Sequence, residues 1–228
     1  MKLLLKAKSF IRDLIFGMED GLVSNLGVVF AVWAAGSNRY TILLAGLASM
    51  FAGSLSMSAG SYLSSKSKCE VEEAEIKNLR AKIENKPEKA LKDMEKIMER
   101  EGFHKDEIKI LSKHYKKHSK RNFIENYVQK KLKIHPKKVE NPIKNATAMF
   151  FAFSLGSLFP IFPFFISNSL FTMLLAFILT IIVLFLVGVI KVKFTKRHWF
   201  KSGMEIVLVG VGAGIFGYLI GFLFQIIF

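Results

Sequence analysis

An acidic residue lies inside the first long apolar segment of the chain, where an ionised group needs water or a partner. Asp20 stands about eight residues inside the inner end of this segment, roughly 12 Å deep at the rise of an α-helix. A charge at that depth is costly, so Asp20 predicts an ion or proton pathway, with Asp13 and Glu19 as further candidates. The alternative is a helix that begins near Gly21 and leaves all three acids among the lipid headgroups.

A methionine in the second apolar segment offers a soft ligand for a metal ion. Met57 lies eight residues above Ser65, so its thioether is expected at a depth similar to that of Asp20 on a neighbouring helix. Magnesium and calcium prefer shells of oxygen, whereas a softer divalent ion such as iron(II) tolerates a thioether. The sequence therefore predicts Asp20 and Met57 as metal ligands; the alternative is that Met57 only packs.

A cluster of glutamates follows the second segment, in a chain that is otherwise strongly basic. Glu72 and Glu75 share a helix face at a spacing of three residues, and they are the predicted metal ligands of this cluster. They would gather cations where the helix leaves the membrane. The alternative is pairing at a spacing of four on a solvated helix, such as Glu73 with Lys77, and the sequence leaves both open. The cluster consists of Glu70, Glu72, Glu73 and Glu75.

Motifs for enzyme chemistry are missing from the sequence. It contains no nucleophile elbow, phosphate-binding glycine loop, zinc motif or catalytic-triad pattern. One ExxH fragment ends at His104, but a di-iron bundle needs a second copy and two more glutamates. The chain is therefore predicted not to be an enzyme and to hold no permanently bound cofactor.

Five apolar segments must position these residues. About 20 mostly apolar residues cross the hydrocarbon core as a helix, and lipid requires every backbone polar group to be paired within the protein. The predicted fold class is thus an all-α integral membrane protein with five transmembrane helices and a small cytosolic helical domain inserted between the second and third. The segments run over 14–36, 41–64, 146–166, 170–190 and 202–228.

Charge placement predicts the orientation. The chain has a net charge of +15, and 32 of its 33 Lys and Arg residues lie on one side of the predicted helices. Positive flanks stay cytoplasmic, so the N-terminus and residues 66–144 are predicted inside and the C-terminus outside. Anionic lipid headgroups account for the basic residues without a nucleic-acid partner. Cys69, the one cysteine, fits a reducing compartment.

The predicted domain boundaries follow from these segments. Residues 1–65 hold the first two transmembrane helices, 66–142 the cytosolic helical domain, and 143–228 the last three helices. The second helix is expected to continue past Ser64 until Asn85, Lys86 and Pro87 end it. No organellar address is visible, which predicts a prokaryotic cell membrane. Small residues on the helices predict close packing at Gly53, Gly60, Gly210 and Gly214.

Three stretches of the chain together resemble the vacuolar iron transporter family. They are Arg12-Asp13 with Met18 to Ser24, then Ala52 to Met57 with Gly60 and Tyr62, then Gly156 to Pro160 with Pro163. The resemblance implies five membrane helices, a cytosolic helical domain, a homodimer, and proton-coupled export of iron(II) or manganese(II) from the cytosol. It also implies a pathway lined by Asp13, Asp20 and Met57 between the two subunits.

The chain departs from this family at positions that matter for transport. Ser49 stands where members of the family usually have a glutamate, two turns before the motif methionine, and Glu19 is a candidate to compensate. In the inserted domain, Leu79 and Lys82 fall where metal-capturing acids are expected.

The leading hypothesis is a homodimeric antiporter that exchanges a divalent transition metal for protons, with the metal and membrane lipid as further partners. The rival is a non-transporting membrane scaffold of the same fold whose basic domain binds anionic lipid or a protein partner. Ser49 is the main support for the rival. A transporter requires saturable metal binding that depends on Asp20, whereas a scaffold requires only the lysine-rich surface.

Overall fold

A computed structural model describes residues 2–118, 120–132, 141–195 and 198–227. Within these ranges the chain consists of helices joined by short connections, and it contains no strand. A short 3-10 helix, Phe162–Phe165, follows the sixth α-helix, which ends just after Pro160. The α-helices are α1 Lys2–Ala34, α2 Arg39–Asn85, α3 Pro87–Arg100, α4 Lys105–His118, α5 Lys120–Leu132, α6 Pro142–Ile161, α7 Leu170–Thr195 and α8 Trp199–Ile227.

Five of the described segments are long and apolar enough to cross a membrane, which confirms the predicted number of transmembrane helices. The first of them extends over Phe10–Ala34 within one continuous helix, so α1 does not begin near Gly21. The second lies in α2, which continues to Asn85 as the sequence predicts. The remaining spans are Pro142–Phe165, Leu170–Lys193 and Trp199–Ile227.

Local sequence signals account for the helix ends in the membrane part. Gly36 follows α1 with φ of 73°, a left-handed conformation that glycine adopts at little cost. Asn38 then caps α2, because its Oδ1 accepts a hydrogen bond from the Thr41 backbone N–H at 2.9 Å. Ser169 does the same for α7 through the N–H of Thr172 at 3.2 Å.

Glycines bring the membrane helices into backbone contact. A Cβ atom at Gly21 of α1 would collide with the carbonyl oxygen of Phe153 on α6, and one at Gly217 of α8 would collide with the carbonyl oxygen of Gly27. At such approaches two backbones leave no room for a side chain. Helix α1 is therefore held between α6 and α8. An apolar cluster of α1, α2, α6 and α7 includes Leu26, Val29, Phe30, Ile42, Met50, Ile161 and Ala176.

The four glycines predicted to pack helices have different surroundings. Gly53 lies against the ring of Phe153, and Gly210 lies against Leu184. Gly214 is in ordinary contact with Leu26, whose Cδ2 would be 3.4 Å from an added Cβ. Gly60 has no atom within 4 Å of that position. The packing role predicted for Gly60 therefore has no partner within the described chain, although Gly53 lies two turns earlier on the same side of α2.

The chain divides into two compact units. One comprises Met1–Ser64 with Pro142–Phe228, and the other Ser65–Asn141. The second unit has its own apolar core, formed by one face each of α2, α3, α4 and α5. Its buried residues recur on α3 at the four-residue spacing of an amphipathic helix. They are Leu79, Ile83, Ala90, Met94, Met98, Ile108, Phe123, Tyr127 and Val128.

Candidate functional site

Asp20 lies within a membrane span and within a helix that continues on both sides of it. It is ten residues from the start of the span at Phe10, which corresponds to about 15 Å along the helix axis. The side chain is half-buried. Among the described residues, none forms a salt bridge or a hydrogen bond with its carboxylate. Its backbone carbonyl accepts a hydrogen bond of 2.6 Å from the Ser24 hydroxyl.

The side of α1 that carries Asp20 is incompletely covered within one chain. Phe16, Asp20, Ser24 and Val28 follow one another at four-residue spacing, and none of them is buried. Phe16 is 53% exposed. We refer to these four residues as the α1 strip. Because glycines hold the adjacent face of α1 against α6, the strip points to the side and the Asp20 side chain remains partly exposed within one chain.

The neighbouring acids have partners of their own. Asp13 is buried and forms an ion pair with the exposed Arg12, whose Nη2 is 3.2 Å from the Asp13 Oδ1. Asp13 lies seven residues before Asp20, about 10 Å nearer the start of the helix. Glu19 is half-buried and feels the charges of Lys191 on α7 and of Asp20. The charge of a lysine thus acts on Glu19, whereas no lysine of the described chain acts on Asp20 in this way.

Met57 and Ser49 lie on α2, and both are half-buried. Helix α2 packs on α6 through hydroxyl groups: Ser54 and Ser154 are 2.8 Å apart, and Ser58 donates to the Ala146 carbonyl at 2.9 Å. Phe153 of α6 contacts α1 with its backbone and α2 with its ring. A residue of α6 therefore lies between the two helices that carry the predicted ligands Asp20 and Met57.

A complete metal site is absent from the described part of a single chain. No three His, Cys, Asp or Glu side chains there lie close enough together to hold a metal ion. In the glutamate cluster of α2, Glu72 is half-buried and Glu75 exposed. An ion pair joins Lys66 and Glu70 at 3.8 Å, at the four-residue spacing of an ordinary solvated helix. The predicted ligands thus occupy separate positions on α1 and α2.

Asn25 is a buried polar residue that reasoning from the sequence did not single out. It lies five residues after Asp20 on α1, and it has no solvent exposure. Its Nδ2 donates to the Ser157 hydroxyl of α6 at 2.8 Å. No donor among the described residues reaches its Oδ1. The signal in the sequence was an amide in the middle of an apolar run, where most side chains have no polar atom.

Several vacuolar iron transporters resemble this chain along most of its length. Vacuolar iron transporter 1 of Eucalyptus grandis is 27% identical over 214 residues, which cover 92% of this chain and 86% of the relative. Vacuolar iron transporter 1 of Oryza sativa subsp. japonica is 26% identical, covering 91% and 82%. The vacuolar iron transporter of Plasmodium berghei is 25% identical, covering 96% and 83%.

These relatives contradict the prediction of a prokaryotic cell membrane. They come from plants and from Plasmodium, and their names place them at the vacuole. The prediction was wrong because it rested on the lack of a visible organellar address. An address that a receptor reads is not an anchor, so it leaves no trace in hydropathy or charge placement. The multi-pass membrane character agrees with the five spans.

In addition to the individual relatives, a family model matches this chain. The match covers residues 11–222, and it therefore includes the α1 strip, the glycines of α2 and most of α8. All five spans found in the structure, and the helical unit between the second and third of them, fall within this match except for the terminal ends of the first and last spans. The chain therefore belongs to the VIT family.

Proposed function

We propose that this protein moves a divalent transition metal, iron(II) or manganese(II), out of the cytosol in exchange for protons. The main support is Asp20, a half-buried carboxylate within a membrane span that has no partner among the described residues. Such an acid is costly unless it binds a cation or a proton. The names of the relatives, which are iron transporters, support a metal as the cation.

Competition at one carboxylate would couple the two flows. A proton on Asp20 removes the negative charge that attracts a metal ion, and a bound metal ion expels the proton. The Met57 thioether would add a soft ligand that favours iron(II) over magnesium or calcium. Asp13 and Glu19 lie along the same helix, where they would pass cations or protons toward Asp20.

A second copy of the chain would complete the site. The described chain brings no three acids or histidines together, and the α1 strip is left partly uncovered. If two strips face one another across a two-fold axis, each Asp20 gains a second carboxylate as a neighbour. We therefore propose a homodimer in which the metal passes between the subunits. The lysine-rich second unit would lie on the cytosolic side, in keeping with the charge rule.

Metal flux into proteoliposomes tests this proposal. Liposomes with a trapped indicator for iron(II) and manganese(II) and an imposed pH gradient are compared for the native chain and for Asp20→Asn. We expect gradient-dependent flux from the native chain and a loss of at least about a hundredfold in the variant, because the transported charge then has no ligand carboxylate. Asp106→Asn, an exposed acid of α4, serves as the control and should keep native flux.

A non-transporting scaffold is the second candidate, and Ser49 favours it. Ser49 is half-buried on α2 and offers a hydroxyl where a carboxylate would bind a cation more strongly. In a scaffold, the native chain would move neither metal. If flux then appeared in Ser49→Glu, the missing carboxylate would be the reason why the native protein does not transport metal. Undiminished flux in Asp20→Asn would instead refute the role of Asp20.

A further inference from the structure

A cavity in the second unit has four lysines among its ten lining residues. It has a volume of about 450 Å³ and lies among the end of α2, the start of α3 and the end of α5. Binding cavities for small molecules have volumes of roughly 300–1,000 Å³, so its size suits a ligand. Buried apolar atoms of Ile83 and Ala90 form part of its wall. Its charged and phenolic side chains are Lys82, Lys86, Lys89, Lys131, Asp93 and Tyr127.

The charge of this lysine cavity is strongly positive. Asp93 is already occupied, because it accepts hydrogen bonds from the Lys131 ammonium at 3.1 Å and from the Tyr127 hydroxyl at 3.3 Å. No acidic side chain of the described chain pairs with the other three lysines of the cavity. Four lysines against one aspartate leave three positive charges at neutral pH. Like charges gathered in this way repel one another, and a bound anion would relieve the repulsion.

The start of α3 adds to this potential. Pro87 occupies the first position of the helix, and Lys86 caps it without a side-chain hydrogen bond. The first backbone N–H groups of α3 therefore have no partner within the helix or from a cap. The free donors are the backbone N–H groups of Glu88 and Lys89, because Pro87 has none and that of Lys86 donates to the Lys82 carbonyl. The positive end of the helix dipole therefore lies beside Lys86 and Lys89, two of the lysines that line the cavity.

We infer that the lysine cavity binds a phosphate-bearing anion. Compact ammonium groups and a free helix start suit phosphate oxygens, which are acceptors only. The cavity exceeds the size of one phosphate, so it would take a phosphorylated solute or a phosphorylated lipid headgroup, with the apolar wall against the attached carbon skeleton. Four lysines exclude a cation from the same space. This inference does not depend on whether the protein transports metal.

Titration of the full-length protein with inorganic pyrophosphate tests the inference. The chain is placed in phosphatidylcholine nanodiscs at constant ionic strength, and binding is measured by calorimetry. The triple variant Lys82→Gln, Lys86→Gln, Lys89→Gln should bind at least about tenfold more weakly, a loss of about 1.4 kcal/mol. The matched control Lys77→Gln, Lys92→Gln, Lys109→Gln removes the same charge from exposed positions outside the cavity. It should stay within about threefold of the native affinity.

A third variant keeps the test decisive if the triple variant does not fold. Asp93→Asn removes the negative charge of the cavity and releases Lys131, so pyrophosphate should bind about threefold more tightly. Three results would each overturn the inference. They are no binding of pyrophosphate to the native chain, an equal loss of affinity in the triple variant and its control, and weaker binding of pyrophosphate by Asp93→Asn than by the native chain.

The same nanodiscs distinguish the two sources of phosphate. When phosphatidylinositol phosphate is added to the bilayer, a lipid headgroup that enters the cavity should compete with pyrophosphate and weaken its apparent affinity in the native chain but not in the triple variant. Unchanged affinity would identify a soluble phosphorylated ligand. Both results agree with an anion site.

Discussion

Asn25 illustrates how a polar side chain is accommodated inside a membrane helix. It is fully buried, its Nδ2 binds the Ser157 hydroxyl at 2.8 Å, and its Oδ1 has no donor in the described chain. A buried acceptor without a donor costs about 1–3 kcal/mol. Removing the whole amide and removing only its partner should therefore have different effects on stability.

We predict that Asn25→Val is less harmful to stability than Ser157→Ala. The valine removes the unpaired acceptor together with the hydrogen bond, so the free energy of unfolding should change by less than about 1 kcal/mol. The alanine leaves the Asn25 amide with only the long hydrogen bond from its Nδ2 to the Gly21 carbonyl, at 3.4 Å, and should cost about 1–3 kcal/mol. Thermal unfolding in detergent provides the measurement. A larger loss in Asn25→Val would mean that the amide contributes more than its bond to Ser157.

The ion pair between Asp93 and Lys131 is a second feature at the residue scale. The hydrogen bond from Lys131 holds the pKa of Asp93 below its usual value. Because the folded pKa lies below the unfolded one, the stabilisation is present above about pH 4 and is lost as the pH falls through the folded pKa. Both side chains are more than a third exposed, so the pair contributes at most about 1 kcal/mol.

Acidification should therefore lower the local stability of the second unit, and Asp93→Asn should remove most of this pH dependence. Hydrogen exchange of α3 and α5 in the full-length protein, corrected for intrinsic rates, reports their local stability. We expect the native chain to lose protection below about pH 4. Asp93→Asn should already be less protected at neutral pH and should change less on acidification. Glu95→Gln, also on α3, is the control. An acid response of Asp93→Asn as large as the native one would contradict this account.

At the scale of elements, α6 connects the two helices that carry the candidate ligands. Its Phe153 gives a carbonyl group to the contact with Gly21 of α1 and a ring to the contact with Gly53 of α2. Hydroxyls of Ser154 and Ser157 hydrogen-bond to both neighbours. A shift of α6 would therefore alter the relative positions of α1 and α2. Pro160 lies in the last turn of α6, and the chain continues from Ile161 directly into the 3-10 helix Phe162–Phe165.

The glycines of α8 allow a test of close packing with an internal control. A Cβ at Gly221 would collide with the carbonyl oxygen of Ala31 on α1, whereas a Cβ at Gly212 would meet nothing within 4 Å. Gly221→Ala should lower stability by about 1–3 kcal/mol through overpacking. Gly212→Ala should leave it unchanged or raise it by up to about 1 kcal/mol, because alanine is the better helix former. Equal midpoints of thermal unfolding would contradict this packing.

At the scale of the whole molecule, the uncovered α1 strip bears on assembly. The proposed homodimer places two such strips against one another, so residues of the strip should lie near their counterparts in the second subunit. The face of α7 that carries Leu186 is also exposed, at 52%. In the proposed dimer, that face would contact lipid and not protein. In the proposed dimer, equivalent residues of the two subunits are therefore close together on the α1 strip and far apart on the α7 face, and cross-linking detects this difference in distance.

Oxidative cross-linking in membranes should distinguish these faces. In a chain with Cys69→Ser, a single cysteine in Phe16→Cys or Val28→Cys should form a disulfide-linked dimer, since bridged Cα atoms must lie within about 7 Å. Leu186→Cys is the control and should form no disulfide-linked dimer. Cross-linking at Leu186 alone would place the interface on α7, and the absence of any cross-link would argue against the dimer.

The sequence by itself determined the helical class, the five spans and the end of α2 near Pro87, because apolar length and helix-stopping residues are local properties that no distant contact has to supply. It also singled out Asp20, since an acid in an apolar run stands out without any structure. The prediction of a prokaryotic cell membrane was wrong because delivery to an organelle depends on an address that a receptor reads.

Only the tertiary structure decided which residues meet. The bond between Asn25 and Ser157 joins positions 132 residues apart, and the lysine cavity needs α2, α3 and α5 to converge around Tyr127. It also decided that Gly60 has no neighbour in the described chain, although its spacing matches that of Gly53. Spacing along a helix fixes which side a residue faces, but the packing of the other helices decides what lies there.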